Sequence, residues 1–288
     1  MTASSSPHAA AMVPPARRPS RAGRDLVAAI TVGVGMGVVI LASLLLERHF
    51  FIGVLALATA VATWELAGAL RRGAGIAVPL PVLLAGGQAM VWLSWPFRLQ
   101  GLAAAFAVTA LAVLLWRMRA GSENYLRDVA AGLFAAAYVP FFCSFAVLLV
   151  VAEDGLARVL TFMICGVASD VGGYAAGVLL GRHPMAPTIS PKKSWEGFAG
   201  SQVAGMVAGA LSVHLMLGGA WWAGVVFGAA LAVSATVGDL GESLIKRDLG
   251  IKDMSNLLPG HGGVMDRLDS LLATAPIVWL LLHLLVKA

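Results

Sequence analysis

Nine apolar runs of about 20 residues follow one another along this chain, each long enough to cross the hydrocarbon core of a bilayer as a helix. They cover residues 26–46, 50–70, 77–96, 100–116, 129–151, 157–180, 197–217, 220–240 and 268–286. The third is interrupted by Pro79 and Pro81, and the sixth carries Asp170. Hydrophobic residues make up 59% of the chain and charged residues 12%, more apolar sequence than a soluble core needs. The expected fold is all-α: a polytopic membrane helix bundle of about nine transmembrane helices. Cys143 and Cys165 fall inside apolar runs and read as buried packing residues; they form no disulfide framework or zinc motif.

Residues 1–24 are rich in Ala, Ser, Pro and Arg and too poor in apolar side chains to fold, so a disordered cytoplasmic tail is expected. The apolar run that follows is too long for a signal-peptide core and lacks a small-residue cleavage site, so the first helix should be retained. Residues 25–156 then make an N-terminal set of transmembrane helices, and residues 157–288 a region that carries the longest charged stretch. With the N-terminus inside, all of the 20 Lys and Arg residues except Arg48, Arg98, Arg158 and Lys287 fall on the cytoplasmic side. The formal charge of +5 thus reflects topology and attraction to anionic headgroups of the membrane lipids. No soluble basic domain exists to carry nucleic acid, and that partner is excluded.

Small residues recur every four positions in two of the runs: Gly173, Gly177 and Gly181, then Gly197, Ser201, Gly205 and Gly209. Residues four apart share a helix face, and small ones let helices approach closely. These stripes read as packing ridges.

One polar stretch stands apart, from Gly238 to Ser270. A charged cluster between two spans is costly near lipid and is a site candidate by default. If the eighth helix runs on past Asp239, Ser243 and Lys246 share its face. Asp266 and Asp269 are one turn apart where the ninth begins. Two helix ends thereby bring carboxylates to one cytoplasmic level. Hard oxygen donors without a Cys or His cluster suit magnesium, which often shares its coordination sphere with substrate phosphates. Gly260, Gly262 and Gly263 can bring backbone N–H groups close to an anion. Lys246, Arg247, Lys252 and Arg267 can neutralise phosphate charge. Together these read as a metal–nucleotide phosphate site; the plainer alternative is a solvated loop with ordinary surface charges.

A second polar stretch, GRHPMAPTISPKKSWEG, runs from Gly181 to Gly197, and Pro184, Pro187 and Pro191 keep it from forming a regular helix. Ser190, Lys192, Lys193 and Ser194 offer hydroxyl and ammonium groups to a phosphate; a basic loop that only sets topology competes with that reading. Asp170, a carboxylate inside a span, needs a polar partner and reads as a second-cation ligand or site organiser. Glu65, near the inner end of the second span, reads as a carboxylate reaching for the interface. His214 and His283 read as packing residues, and Trp92, Trp95, Trp221 and Trp222 as an aromatic belt.

The run SLIKRDLGIKDMSNLLPGHGGVMDRLD, Ser243 to Asp269, resembles the signature of the phosphatidate cytidylyltransferases, also called CDP-diacylglycerol synthases. Ser243, Lys246-Arg247, Lys252-Asp253, Pro259, His261-Gly262-Gly263 and Asp266-Arg267-x-Asp269 all stand at that pattern's spacing. The run SPKKSWEG, together with Asp170, Tyr174 and Gly177, is also similar to the family. Ser194 departs from the threonine common there but keeps the hydroxyl. The likeness spans roughly residues 165–272; earlier residues match only in being apolar.

The resemblance implies that CTP and phosphatidate react to give CDP-diacylglycerol and pyrophosphate with Mg2+, and allows a second cation. It implies Asp239 and Asp266 as metal ligands, with Asp170 and Asp269 as further carboxylates. Lys192, Lys193, Lys246, Arg247 and Arg267 would grip phosphates. Ser190, Ser243, Lys252, Asp253 and the His261-Gly262-Gly263 turn would shape the substrate pocket. The expected location is a bacterial cytoplasmic (inner) membrane, with the site facing the cytoplasm and pairing into a homodimer left open. Another CTP-dependent lipid enzyme, a transporter for an anionic metabolite and an inactive structural relative remain alternatives.

Overall fold

The computed structural model describes residues 26–258 and 262–286. The expected tail, Pro259, Gly260, His261 and Lys287 lie outside the described residues. Helices dominate, as the apolar runs require: α1 (Leu26–Leu46), α2 (Arg48–Ala74), α3 (Leu80–Met118) and α4 (Tyr125–Ala136). A π-helical turn, Ala137–Phe141, carries α4 into α5 (Phe142–Val150) around Pro140, which lacks an N–H to donate. Then come α6 (Gly155–Leu180), strands β1 (Pro184–Ala186) and β2 (Ser190–Ser194), α7 (Trp195–Leu217), α8 (Trp221–Asp248) and α9 (Met265–Leu285). Taking α4 to α5 as one run, seven helices among the described residues are long and apolar enough to cross a membrane.

One local expectation needs correcting. Pro79 and Pro81 do not interrupt a span. Pro79 caps α3 and Pro81 sits in its first turn, where a missing N–H costs nothing. The prolines of the 181–197 stretch exclude a helix, as expected, and the segment forms a hairpin: β1 and β2 pair antiparallel, with Pro184 opposite Ser194 and Ala186 opposite Ser190. Among the described residues, regular structure is helical apart from this hairpin and a single bridge between Leu258 and Gly262.

The long α3 is two helical halves. Arg98 has φ 51 and ψ −141, outside any helix. A straight helix would hold Gly86 and Thr109 roughly 35 Å apart, yet a Cβ on Gly86 would collide with the Thr109 side chain. The halves therefore fold back on each other, as the separate runs 77–96 and 100–116 anticipate.

Ile52 and Leu66 of α2, Leu83 and Met90 of α3, Leu149 of α5 and Val278 of α9 are fully buried and form the centre of the bundle. The three helices α6, α7 and α8 pack through the small-residue stripes. Gly173 meets Ser201, Gly177 faces Gly197, and a Cβ on Gly205 would lie 2.9 Å from the Gly228 carbonyl oxygen. Cys143 and Cys165 are buried and free. His283 stacks on Trp279 with ring centroids 5.3 Å apart, a packing role as expected.

Candidate active site

Polar residues of α6, α7, α8 and α9 and of the β1–β2 hairpin line a half-open cavity of about 410 Å³. Its wall includes Asp170 from α6, Lys192 and Lys193 from β2, Asp239 from α8 and Asp269 from α9. Each element presents its charge for a local reason. The Ser194 hydroxyl accepts a hydrogen bond from the Gly197 N–H at 3.1 Å and caps α7, ending the strand just after the two lysines. The close α6–α7 and α7–α8 approaches bring Asp170 and Asp239 to one cavity. Lys193 pairs directly with Asp239 across it. Ser169, Ser201, Thr236 and Ser270 add hydroxyls, and Tyr174 and Phe198 add aromatic surface.

A second, smaller cavity of about 190 Å³ shares Asp170, Ala235 and Ser270 with the first. It is mostly apolar, lined by Phe162, Met163, Leu231 and Leu271, with the exposed Arg267 at its polar end.

Asp266 is placed differently from Asp269. It is buried and does not line the first cavity. Its Oδ1 accepts from Lys246 Nζ at 2.9 Å; its Oδ2 accepts from the backbone N–H of Met254 at 2.9 Å and of Gly263 at 2.7 Å. Lys246 also lies 3.2 Å from Glu242 Oε1. Glu242 is fully buried, and neither of its carboxylate oxygens accepts a hydrogen bond from any described residue. Asp239, Glu242 and Lys246 succeed one another along α8 at spacings of three and four, so one helix links the cavity wall to the Asp266 cluster. That spacing was visible in the sequence and points to Glu242, a residue the motif reading passed over.

The glycine turn serves anions of the protein itself. Gly262 has φ +82, a conformation that favours glycine, and the next N–H binds Asp266. A Cβ on Gly263 would lie 2.6 Å from Glu65 Oε2. Glu65 is therefore not an interface carboxylate: it is buried and accepts from Ser255 Oγ at 2.6 Å, Val264 N–H at 3.1 Å and Met265 N–H at 2.7 Å.

Of the residues singled out in the sequence, Asp170, Asp239, Asp269, Lys192 and Lys193 converge on the first cavity, and Arg267 lines the second. Ser190, Ser243, Arg247, Lys252, Asp253 and Gly262 line neither; Arg247 and Lys252 are exposed on the loop side. Among the described residues, no three His, Cys, Asp or Glu side chains stand close enough to hold one metal ion by themselves.

Residues 27–285 match the cytidylyltransferase family. A phosphatidate cytidylyltransferase of Mycobacterium bovis is 48% identical over 284 residues, covering 94% of this chain and 92% of that protein. One of Mycobacterium leprae is 48% identical over 281 residues, covering 92% of this chain and 90% of that protein. A more distant one of Haemophilus influenzae is 39% identical over 127 residues, covering 42% of this chain and 44% of that protein. The match runs through the helices that build the two cavities as well as the charged loop, and the chain belongs to the cytidylyltransferase family.

Proposed function

We propose that this protein transfers the cytidylyl group of CTP to phosphatidate, giving CDP-diacylglycerol and pyrophosphate. The observation that carries the reading is the meeting of two lysines and three aspartates in one cavity that shares a wall with a second, mostly apolar one. The names of the mycobacterial relatives supply the two substrates. An oxygen of the lipid phosphate attacks the α-phosphorus of CTP. A new P–O bond forms as the bond to the β-phosphate oxygen breaks, and pyrophosphate leaves with the electron pair. The phosphate nucleophile is already ionised near neutral pH, so no general base is needed. Catalysis then rests on alignment and charge neutralisation.

Lys192 and Lys193 cover the phosphates of CTP. Arg267 holds the lipid phosphate, and Phe162, Met163, Leu231 and Leu271 receive the start of the acyl chains. The lipid phosphate and the nucleotide meet at the wall that the cavities share, Asp170 and Ser270. Asp239 and Asp269 fit magnesium: they are hard oxygen donors, and one or two carboxylates suffice when phosphates and water complete the sphere. Bound there, the ion would offset the charge of the triphosphate and of the departing pyrophosphate. Asp170 is available to a second cation. Asp266, engaged by three donors, holds the loop.

The Lys and Arg asymmetry supports nine membrane crossings, counting both halves of α3 and the shorter apolar α1, with the N-terminus and both cavities on the cytoplasmic side of a bacterial inner membrane. The deciding experiment measures pyrophosphate release by the purified protein. Release that requires CTP, phosphatidate and magnesium together is the expected result. Release without lipid, or with a lipid alcohol in place of phosphatidate, would identify a different reaction.

A further inference from the structure

We propose that Glu65 is a positioning residue of the reaction: from α2, it fixes the first turn of α9 and so sets where Asp269 and Arg267 stand. This rests on the cytidylyl-transfer reading above. The Glu65 carboxylate is 1% exposed and lies in a helix whose sequence shows nothing but a membrane span. Its three donors come from residues 190 to 200 positions further along. Two of them are N–H groups at the start of α9, which have no partner within their own helix.

Glu65 does not act alone. Arg72 Nη2 donates to the Met254 carbonyl at 2.9 Å, and a Cβ on Gly73 would lie 2.5 Å from the Leu249 carbonyl oxygen. Positions 65, 72 and 73 are seven and eight residues apart and share a face of α2. That face therefore meets the connection after α8, at Leu249, Met254 and Ser255, and again where α9 begins, at Val264 and Met265. The glycine at 263 is what lets the Glu65 carboxylate come so close.

No Lys or Arg side chain among the described residues pairs with Glu65. A buried carboxylate of this kind is a poor way simply to fill space, since an apolar side chain would do so without desolvating a charge. What the carboxylate adds is direction. It accepts two neighbouring N–H groups at once, at the positive end of the α9 dipole. Asp269 lies one turn beyond Met265 on that helix and lines the cavity, and Arg267 lies between them. A shift of this first turn carries both side chains with it. A misplacement of about 1 Å at a reacting centre costs on the order of 100-fold in rate.

The test uses full-length enzyme and measures kcat and KM per folded molecule, well below the melting temperature. Hydrogen exchange of residues 262–269 is followed in parallel. Glu65→Gln, which places an amide NH2 against backbone donors, is expected to lower kcat roughly 10- to 100-fold with little change in KM. Glu65→Asp, which keeps the charge, should recover part of that loss. Gly263→Ala crowds the same carboxylate and should lower kcat as well. The double variant should be no worse than the poorer single one, because both act on one contact. Exchange at the start of α9 should quicken in each. A wild-type kcat in folded Glu65→Gln, additive losses, or an effect confined to melting temperature would overturn the proposal. If Glu65→Gln fails to insert, Gly263→Ala and Ser255→Ala take its place, and an unchanged kcat in both overturns it. Wild-type turnover in the same assay tests the underlying reaction separately, and the exchange measurement does not depend on it.

Discussion

Lys193 of β2 and Asp239 of α8 form a direct ion pair across the first cavity, both side chains partly open to solvent. The pair joins a strand that leads into the capped start of α7 to a helix packed through glycines. An exposed pair of this kind contributes only about 0–1 kcal/mol to stability. On the proposed reaction, its value lies in what its two ends would do to phosphates and cations. Replacing Lys192 and Lys193 together by Ala should therefore leave melting in detergent nearly unchanged. Turnover should fall on the order of 100-fold, as expected when phosphate alignment is lost. Normal kinetics in the inserted double variant would reduce the hairpin to a topology signal.

Asp239→Asn and Asp266→Asn should separate cleanly. An amide in place of Asp239 keeps shape and packing but removes a charge from the cavity. About a 100- to 1,000-fold loss of turnover is expected, with partial rescue by raised magnesium or by manganese. Asp266 is enclosed by Lys246, Met254 and Gly263. Its amide would lose the ion pair and turn an NH2 toward backbone donors, a change that costs about 3–5 kcal/mol for a buried pair. Its melting temperature should fall well below that of Asp239→Asn. Equal melting for the two, with near-normal magnesium dependence in both, would move the metal away from Asp239.

Topology can be read at the charged loop, provided the probe is exposed. Met254 sits within the loop but is fully buried, whereas Asn256 is exposed. A cysteine substituted as Asn256→Cys should react with an impermeant thiol reagent only after the cytoplasmic face is opened. Labelling of intact cells from outside would reverse the assigned orientation.

The α7–α8 contact should tolerate no side chain. Gly209→Leu and Gly205→Leu drive carbons into the backbone of α8, an overpacking that costs about 1–3 kcal/mol or more. Gly37 of α1 has nothing within 4 Å of an added Cβ, and Gly37→Leu serves as the matched control. Folded yield and melting after detergent extraction should drop for the first two and hold for the third.

Much of the site was legible because charge is conspicuous in an apolar chain. Asp170, Asp239, Asp269, Lys192 and Lys193 could be picked out and did converge. The stripes of Gly173 and Gly205 were legible for a similar reason, since spacing alone fixes which residues share a helix face. Other features depend on tertiary pairing that no local pattern encodes. Asp266 and Asp269 look alike in sequence, but three residues are less than a full turn, and only the packing of the loop decides which one faces the cavity. The Gly262-Gly263 turn suggested an anion; that the anions would be Asp266 and Glu65 requires knowing that α2 lies beside α9. The proline-rich stretch excluded a helix without announcing a hairpin. Arg98 fell between two expected spans, so the reversal was legible, but nothing local announced that a non-glycine residue would make it at a positive φ.

Where helices touch through backbone atoms, as at Gly205 with Gly228, there is no side chain left to trim or enlarge. A crossing of that kind is closed to adjustment by mutagenesis. The adjustable surface is the lining of the smaller cavity, where Phe162, Met163 and Leu231 present whole side chains that can be shortened, at a packing cost for the buried Phe162 and Leu231.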